Sequence, residues 1–278
     1  MTGAMDGGST PISWRAMGQG PAILLLNGGL MSIAAWEEIA SPLQDGHRVV
    51  RCDFRGQLLS PGEPPADIAG HARDVAGVLE AAGVERAHVV GTSYGGFVAV
   101  ALAAAFPSRV ASLTIITSAD RVTDAALGGL RELRTLALAV AEGAADGGAV
   151  FDHILPATFS DAFAERHREL IATRRAAVAG LPRAWFTGLA GLTHAIDGLD
   201  LGARLAHVRC PTLVVSAALD RTFPPERSRR LAARIPGARL VELTGVGHAA
   251  VLEAPGRIVD LVRGHVDAVE KARPGARA

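Results

Sequence analysis

The sequence predicts an α/β fold, a mostly parallel sheet flanked by helices, with an all-helical insertion between two of its strands. Three observations predict it. Short apolar runs alternate with stretches of helical spacing from about residue 22 to residue 116, the rhythm of βαβ units. That rhythm stops over residues 121–205, where only helical patterns occur, and a strand pattern resumes near Val208. Between an apolar run and an alanine-rich run stands Gly91-Thr92-Ser93-Tyr94-Gly95, a tight turn joining a strand to a helix.

The elements follow in order. Ser9 to Met17 reads as a strand, with Gly18-Gln19-Gly20-Pro21 as the turn after it. Ala22 to Leu26 is apolar throughout, as expected of a strand covered on both faces. Ile33 to Leu43 is helical, and His47 to Cys52 is a strand. Asp67 to Ala82 has helical spacing, with Ile68, Val75, Val78 and Leu79 toward the core. Arg86 to Val90 is a buried strand, Gly96 to Phe106 a helix stopped by Pro107, and Arg109 to Ile116 the next strand. The insertion holds three helix-like stretches, Ala125 to Ala145, Ala162 to Val178 and Arg183 to Thr193. The sheet then resumes with Cys210 to Ala217, a helix at Pro225 to Ile235, a strand at Arg239 to Leu243 and a last helix at Pro255 to Val269. This divides the chain into a core domain, 1–120 with 206–278, and a helical lid, 121–205. Lys271 to Ala278 reads as a fraying tail.

Composition excludes several classes. The chain has 278 residues, 49% of them hydrophobic, enough for one large core. Lys+Arg and Asp+Glu both number 28, and no basic stripe with interleaved aromatics appears, so a nucleic-acid partner is not expected. No apolar run approaches the ~18 residues of a membrane span, and residues 1–10 do not resemble a secretory signal. A cytoplasmic protein with a small-molecule substrate is the expectation. Cys52 and Cys210, each at a strand edge, read as buried free thiols. His153 and His194 have no ligand spacing, and no metal or other cofactor is called for.

In a chain with 32 glycines, G-x-S-x-G on its own is weak, and a helix N-cap is the bland reading of Ser93. Its neighbours along the chain decide. A serine hydroxyl becomes a nucleophile when a base takes its proton, and the base needs a third group to orient it. Asp220 follows the strand ending at Ala217, and His248 sits in a glycine-flanked loop after the next strand. Adjacent strand ends can therefore bring an acid and a base to the serine. Asp120, past the preceding strand, is the rival for the acid.

Five segments in this order resemble the α/β-hydrolase superfamily, in its lid-bearing branch. They are Asn27-Gly28-Gly29 with Trp36, Asp53-Phe54-Arg55-Gly56 through Ser60, the turn at Ser93, Leu219-Asp220, and Gly247-His248-Ala249-Ala250 with Glu253 and Pro255. The resemblance runs from about Pro21 to the final helix and is only general across the insertion. It implies an α/β-hydrolase fold and a Ser93–His248–Asp220 triad. It also implies an oxyanion hole made by the backbone N–H groups of Gly29 and Tyr94. Asn27 stands where many relatives have histidine, and Leu58 where a glycine is usual.

Asn27, Leu30, Trp185 and Phe186 are the candidates for the substrate pocket, although helix core is the competing reading of the Trp185–Phe186 pair. Trp36 reads as a packing anchor, and Arg55 as a brace for its loop rather than a carboxylate clamp. The implied function is hydrolysis of a small carboxylic ester or lactone through an acyl-enzyme. Proline iminopeptidase-like cleavage stays open, with Glu142, Asp146, Asp152 or Asp161 to hold an amine. Acyl transfer and C–C bond hydrolysis use the same triad, and a non-catalytic ligand receptor is the alternative outside enzymes.

Overall fold

The computed structural model describes residues 1–6 and 11–273. Ser9 and Thr10, where the first strand was expected to begin, and the tail from Pro274 lie outside the described residues. The chain runs β1 (Thr2–Asp6), β2 (Pro11–Met17), β3 (Ala22–Leu26), α1 (Glu37–Leu43), β4 (Arg48–Cys52), α2 (Ile68–Ala81), β5 (Ala87–Thr92), α3 (Tyr94–Ala105) and β6 (Val110–Ile116). Six helices follow: α4 (Asp124–Glu142), α5 (Gly148–Thr158), α6 (Asp161–Arg166), α7 (Arg168–Ala179), α8 (Arg183–Ala195) and α9 (Gly202–Leu205). The chain closes with β7 (Thr212–Ala217), α10 (Pro225–Arg234), β8 (Arg239–Leu243), α11 (Ala250–Glu253) and α12 (Pro255–Ala272). No helix among the described residues is long and apolar enough to cross a membrane.

The eight strands form one sheet in the order β1-β2-β4-β3-β5-β6-β7-β8. β2 runs antiparallel to both β1 and β4, and every other pairing is parallel. Strands β5, β6 and β7 are buried along their whole length, which is why they read as unbroken apolar runs. Side chains of β3 and β5 alternate between two cores. Leu24, Leu26 and Val89 face α2 and α3, while Ile23, Leu25 and Val90 face α1 and α12. The last helix contributes Ile258, Val262 and Val266 to the second core, as its spacing predicts. α2 begins where Asp67 accepts the N–H of Gly70 at 2.7 Å, an N-cap bond.

The departures from expectation are local. β1 was missed, because its five residues carry no apolar alternation and pair only with β2 at the sheet edge. The long first helix of the insertion stops at Glu142, where Gly143 turns left-handed at φ 82°. α5 was missed because Gly147, Gly148 and Pro156 mask its periodicity. The stretch 162–178 is two helices, broken at His167. Cys52 is buried, but Cys210 lies before β7 and is only partly buried.

One glycine fixes the turn against the sheet. A Cβ at Gly95 would overlap the carbonyl oxygen of Leu26 and stand 2.7 Å from that of Asn27, backbone that cannot swing away. Gly95→Ala is therefore expected to destabilise the fold by about 3 kcal/mol, the scale of a forced overpacking. Urea unfolding of the variant beside the wild type measures it, and an unchanged midpoint would show that the turn has room to shift.

Candidate active site

Ser93 sits at the junction of β5 and α3 with φ 51° and ψ −115°, a conformation that L-residues rarely adopt. Its N–H donates to Ile116 O at 2.9 Å, and its own carbonyl accepts from Ser118 Oγ at 2.9 Å, so two bonds hold the strained residue. The N-cap reading of Ser93 does not hold, since its side chain makes no capping bond. Its Oγ instead lies 2.9 Å from Nε2 of His248. On the far side of the imidazole, Nδ1 of His248 lies 2.9 Å from Oδ2 of Asp220.

Asp220 is only 4% exposed, and its second oxygen accepts the N–H groups of Thr222 at 2.9 Å and Phe223 at 2.8 Å. The Phe223 ring stands edge-on to the imidazole at 5.6 Å. The strand ends supply the geometry, because β7 and β8 are neighbours and their following loops carry Asp220 and His248. Asp120, the rival acid, is turned elsewhere. It is fully buried beside Arg230 at 2.8 Å and Arg234 at 2.7 Å, pinning α10.

Two cavities meet at Ser93 and His248. One, of about 440 Å³, runs beneath α5, α7 and Trp185, and the other, of about 330 Å³, between α4 and α8. Both fall in the range of small-molecule sites. Gly29 and Leu30 line both, Tyr94 lines the second, and Leu58 lines the first. Tyr94 is the first residue of α3, so its N–H has no acceptor within the helix.

Two of the four pocket candidates are misplaced. Asn27 is fully buried and lines neither cavity, because its side chain is consumed in a network. Its Nδ2 donates to Asp53 Oδ1 and to Gln57 Oε1, both at 2.9 Å, and its Oδ1 accepts from Trp36 Nε1 at 2.8 Å. Phe186 also lines neither cavity. It packs inside the insertion with Leu133, Ala137 and Val150, while Trp185 alone reaches the first cavity.

The network at Asn27 includes a residue that sequence reasoning missed. Gln57 accepts the N–H of Phe54 at 2.9 Å and donates to Gly28 O at 2.9 Å, tying the Asp53 loop to the Gly28-Gly29 loop. The signal was the polar residue beside the Leu58 anomaly. Burial raises the pKa of Asp53, opposed by the donors Leu59 N–H, Ile33 N–H and Asn27. Arg55 grips Asp74 through two bonds of 2.7 and 2.9 Å, the bracing role.

Below the turn, Tyr94 packs against Phe54 and His71. Burial, and then the charge of Arg55, lower the His71 pKa to about 3. A buried neutral imidazole gives stability that is complete above the unfolded pKa of 6.5 and is lost as pH falls toward 3, because the unfolded chain binds the extra proton. Between pH 7 and 5 this amounts to about 2 kcal/mol. His71→Phe is expected to flatten that part of the acid limb, read as the difference in urea stability between variant and wild type at the two pH values.

The insertion is fastened to the site loops. Thr222 Oγ1 donates to Ala157 O at 3.1 Å, the N–H of Ala249 to Thr158 O at 2.9 Å, and Ser160 Oγ to Glu253 at 2.6 Å. The end of α5 is thus tied to the loops that carry Asp220 and His248.

Comparison with known proteins agrees with this architecture. A family profile described as alpha/beta hydrolase fold matches residues 21–255. "Putative carbamate hydrolase RutD" of Azorhizobium caulinodans is 31% identical over 270 residues, covering 95% of this chain and 98% of that protein. Rhodomycin D methylesterase DauP of a Streptomyces species is 31% identical over 274 residues, covering 83% of this chain and 85% of its own length. The crystal structure of an enol-lactonase from Burkholderia xenovorans superposes with a TM-score of 0.83 at 28% identity, covering 96% of this chain and all of that one.

Proposed function

Because the chain belongs to the alpha/beta hydrolase fold family and is a hydrolase of it, we propose that it cleaves a small carboxylic ester or lactone through an acyl-enzyme on Ser93. The observation that carries this is the unbroken relay from Ser93 Oγ to His248 to Asp220, each step 2.9 Å, where two cavities meet. Ser93 Oγ attacks the acyl carbon while His248 Nε2 takes its proton, and Asp220 fixes the tautomer and steadies the imidazolium. The N–H groups of Tyr94 and Gly29 hold the oxyanion, and losing one such donor costs about 3 kcal/mol in the transition state. Collapse expels the alkoxide, which His248 protonates. Water, activated by the same imidazole, then frees the acid. The two cavities give the acyl and alcohol portions separate room on either side of the serine. Residues 121–205 act as a lid over both.

Carbamate, ester and lactone, the substrates in the names of the relatives, share a carbonyl with a heteroatom leaving group. An amine-holding peptidase site finds less support. Asp152 pairs with Arg175 at 2.7 Å, Asp161 pairs with Arg221, and Asp146 accepts the N–H of Gly148. Among the described residues, no carboxylate lines either cavity.

The test is a fluorophosphonate label with a panel of short and medium p-nitrophenyl esters. The expected result is stoichiometric labelling, an adduct mass on the peptide containing Ser93, and turnover that stops as label accumulates. Folded protein that neither labels nor turns over any ester would overturn the reading in favour of a receptor.

A further inference from the structure

One charged side chain in the first cavity has no partner. Arg174, on α7, lines the cavity together with Ala34, Ala35, Phe151 and Trp185. Its Nε is buried, and among the described residues no acceptor lies within hydrogen-bond distance. Among the described residues it is the one Arg, Lys, Asp or Glu in an otherwise largely apolar lining. Its neighbours in sequence and space are answered. Arg175 binds Asp152 through three contacts of 2.7 to 3.0 Å, and Arg221 donates to Phe159 O and Asp161. Arg109 and Arg121 also have an unmatched Nε, but Arg109 donates to Val84 O and Arg121 lies near Asp120 and Asp200. Glu38 is near enough to Arg174 to favour its charge, yet forms no ion pair with it. Burial outweighs that help and pushes the guanidinium below its ordinary value.

A half-buried guanidinium without an acceptor costs the folded chain free energy, and such violations of local satisfaction gather at functional sites. Its planar fork matches a carboxylate, and a carboxylate entering a largely apolar cavity would both discharge the unpaired donors and restore the missing charge.

We propose that Arg174 binds a carboxylate carried by the substrate, so that the preferred substrate is an ester or lactone bearing a second, free carboxylate at the end of its chain in the first cavity. This rests on the Ser93 reading and narrows it to one substrate class. The carboxylate anchors the far end of the chain while the reacting carbonyl meets Ser93, so the contact acts on binding and appears mainly in KM.

The test compares monoethyl esters of straight-chain dicarboxylic acids from glutarate to suberate with ethyl esters of the monocarboxylic acids of equal length. The wild type is expected to favour the carboxylate-bearing ester at one or two chain lengths. That ratio of kcat/KM should fall about 30-fold in Arg174→Gln, the worth of a charge-assisted contact. Arg174→Lys should keep part of it, and Glu38→Gln should leave it intact. An equal ratio in wild type and Arg174→Gln would overturn the proposal, as would its equal loss in Glu38→Gln, which would make Arg174 a structural partner of that glutamate. Calorimetric titration of Ser93→Ala with free adipate separates the two readings, since it needs no turnover. Arg174-dependent binding without hydrolysis of any ester would sink the Ser93 reading alone. Ester hydrolysis with neither carboxylate preference nor adipate binding would sink this one alone.

Discussion

Ser93→Ala is expected to lower kcat/KM on an aryl ester by about 10⁵-fold or more while leaving the fold in place. Removing the nucleophile of a serine hydrolase leaves only the oxyanion donors and binding to act, and the loss is of that order. The structure makes alanine a clean probe. Ser93 holds φ 51° because two backbone bonds and Gly95 fix the turn, and alanine keeps the same Cβ in the same strained backbone. The hydroxyl makes no helix-capping bond, so its loss removes only the contact with His248 Nε2 at 2.9 Å. The competing N-cap reading predicts the opposite pattern, about 1 kcal/mol of stability lost and activity retained. Steady-state kinetics and urea unfolding on one preparation distinguish them. Residual activity within tenfold of wild type would show that another group attacks.

The candidate site is more legible in the sequence than the walls around it, and the reason is physical. Ser93, Asp220 and His248 lie at strand-to-helix or strand-to-loop junctions whose glycines and apolar runs are visible in one dimension. Strands β5 to β7 are legible because burial on both faces makes them continuously apolar. Pocket walls carry no such mark. Trp185 and Phe186 are adjacent on α8, and only the packing of that helix decides that one meets the cavity and the other the interior of the insertion. Asn27 misleads for a related reason. A polar residue beside a glycine loop suggests a wall, but whether it faces ligand or protein depends on Asp53 and Gln57, some 26 and 30 positions away. Arg174 is one of 28 Lys and Arg residues in the sequence, and only a three-dimensional combination, a place in the cavity wall with a buried Nε that finds no acceptor, sets it apart.

Asp220→Asn should lower kcat about 10⁴-fold with little change in KM, whereas Asp120→Asn should cost stability and leave the triad intact. The argument turns on which way each proton points. The Asp220 side chain accepts the Thr222 and Phe223 N–H groups on one oxygen and faces His248 Nδ1 with the other. Asparagine keeps the first oxygen for the two backbone donors, so its NH₂ must face His248 Nδ1. That atom must then accept, which places the imidazole proton on Nε2, toward Ser93, and leaves no base for the hydroxyl. The shape is preserved and the tautomer is wrong. Asp120 is also fully buried past a strand end, but its partners are Arg230 and Arg234 on α10. Weakening it should cost about 1–2 kcal/mol, discounted because both guanidinium groups are a third or more exposed. The two variants thus exchange phenotypes: one folds and does not turn over, the other unfolds sooner and turns over while folded. A 10⁴-fold loss in Asp120→Asn with wild-type rates in Asp220→Asn would move the acid to the preceding strand and break the relay on which the mechanism stands.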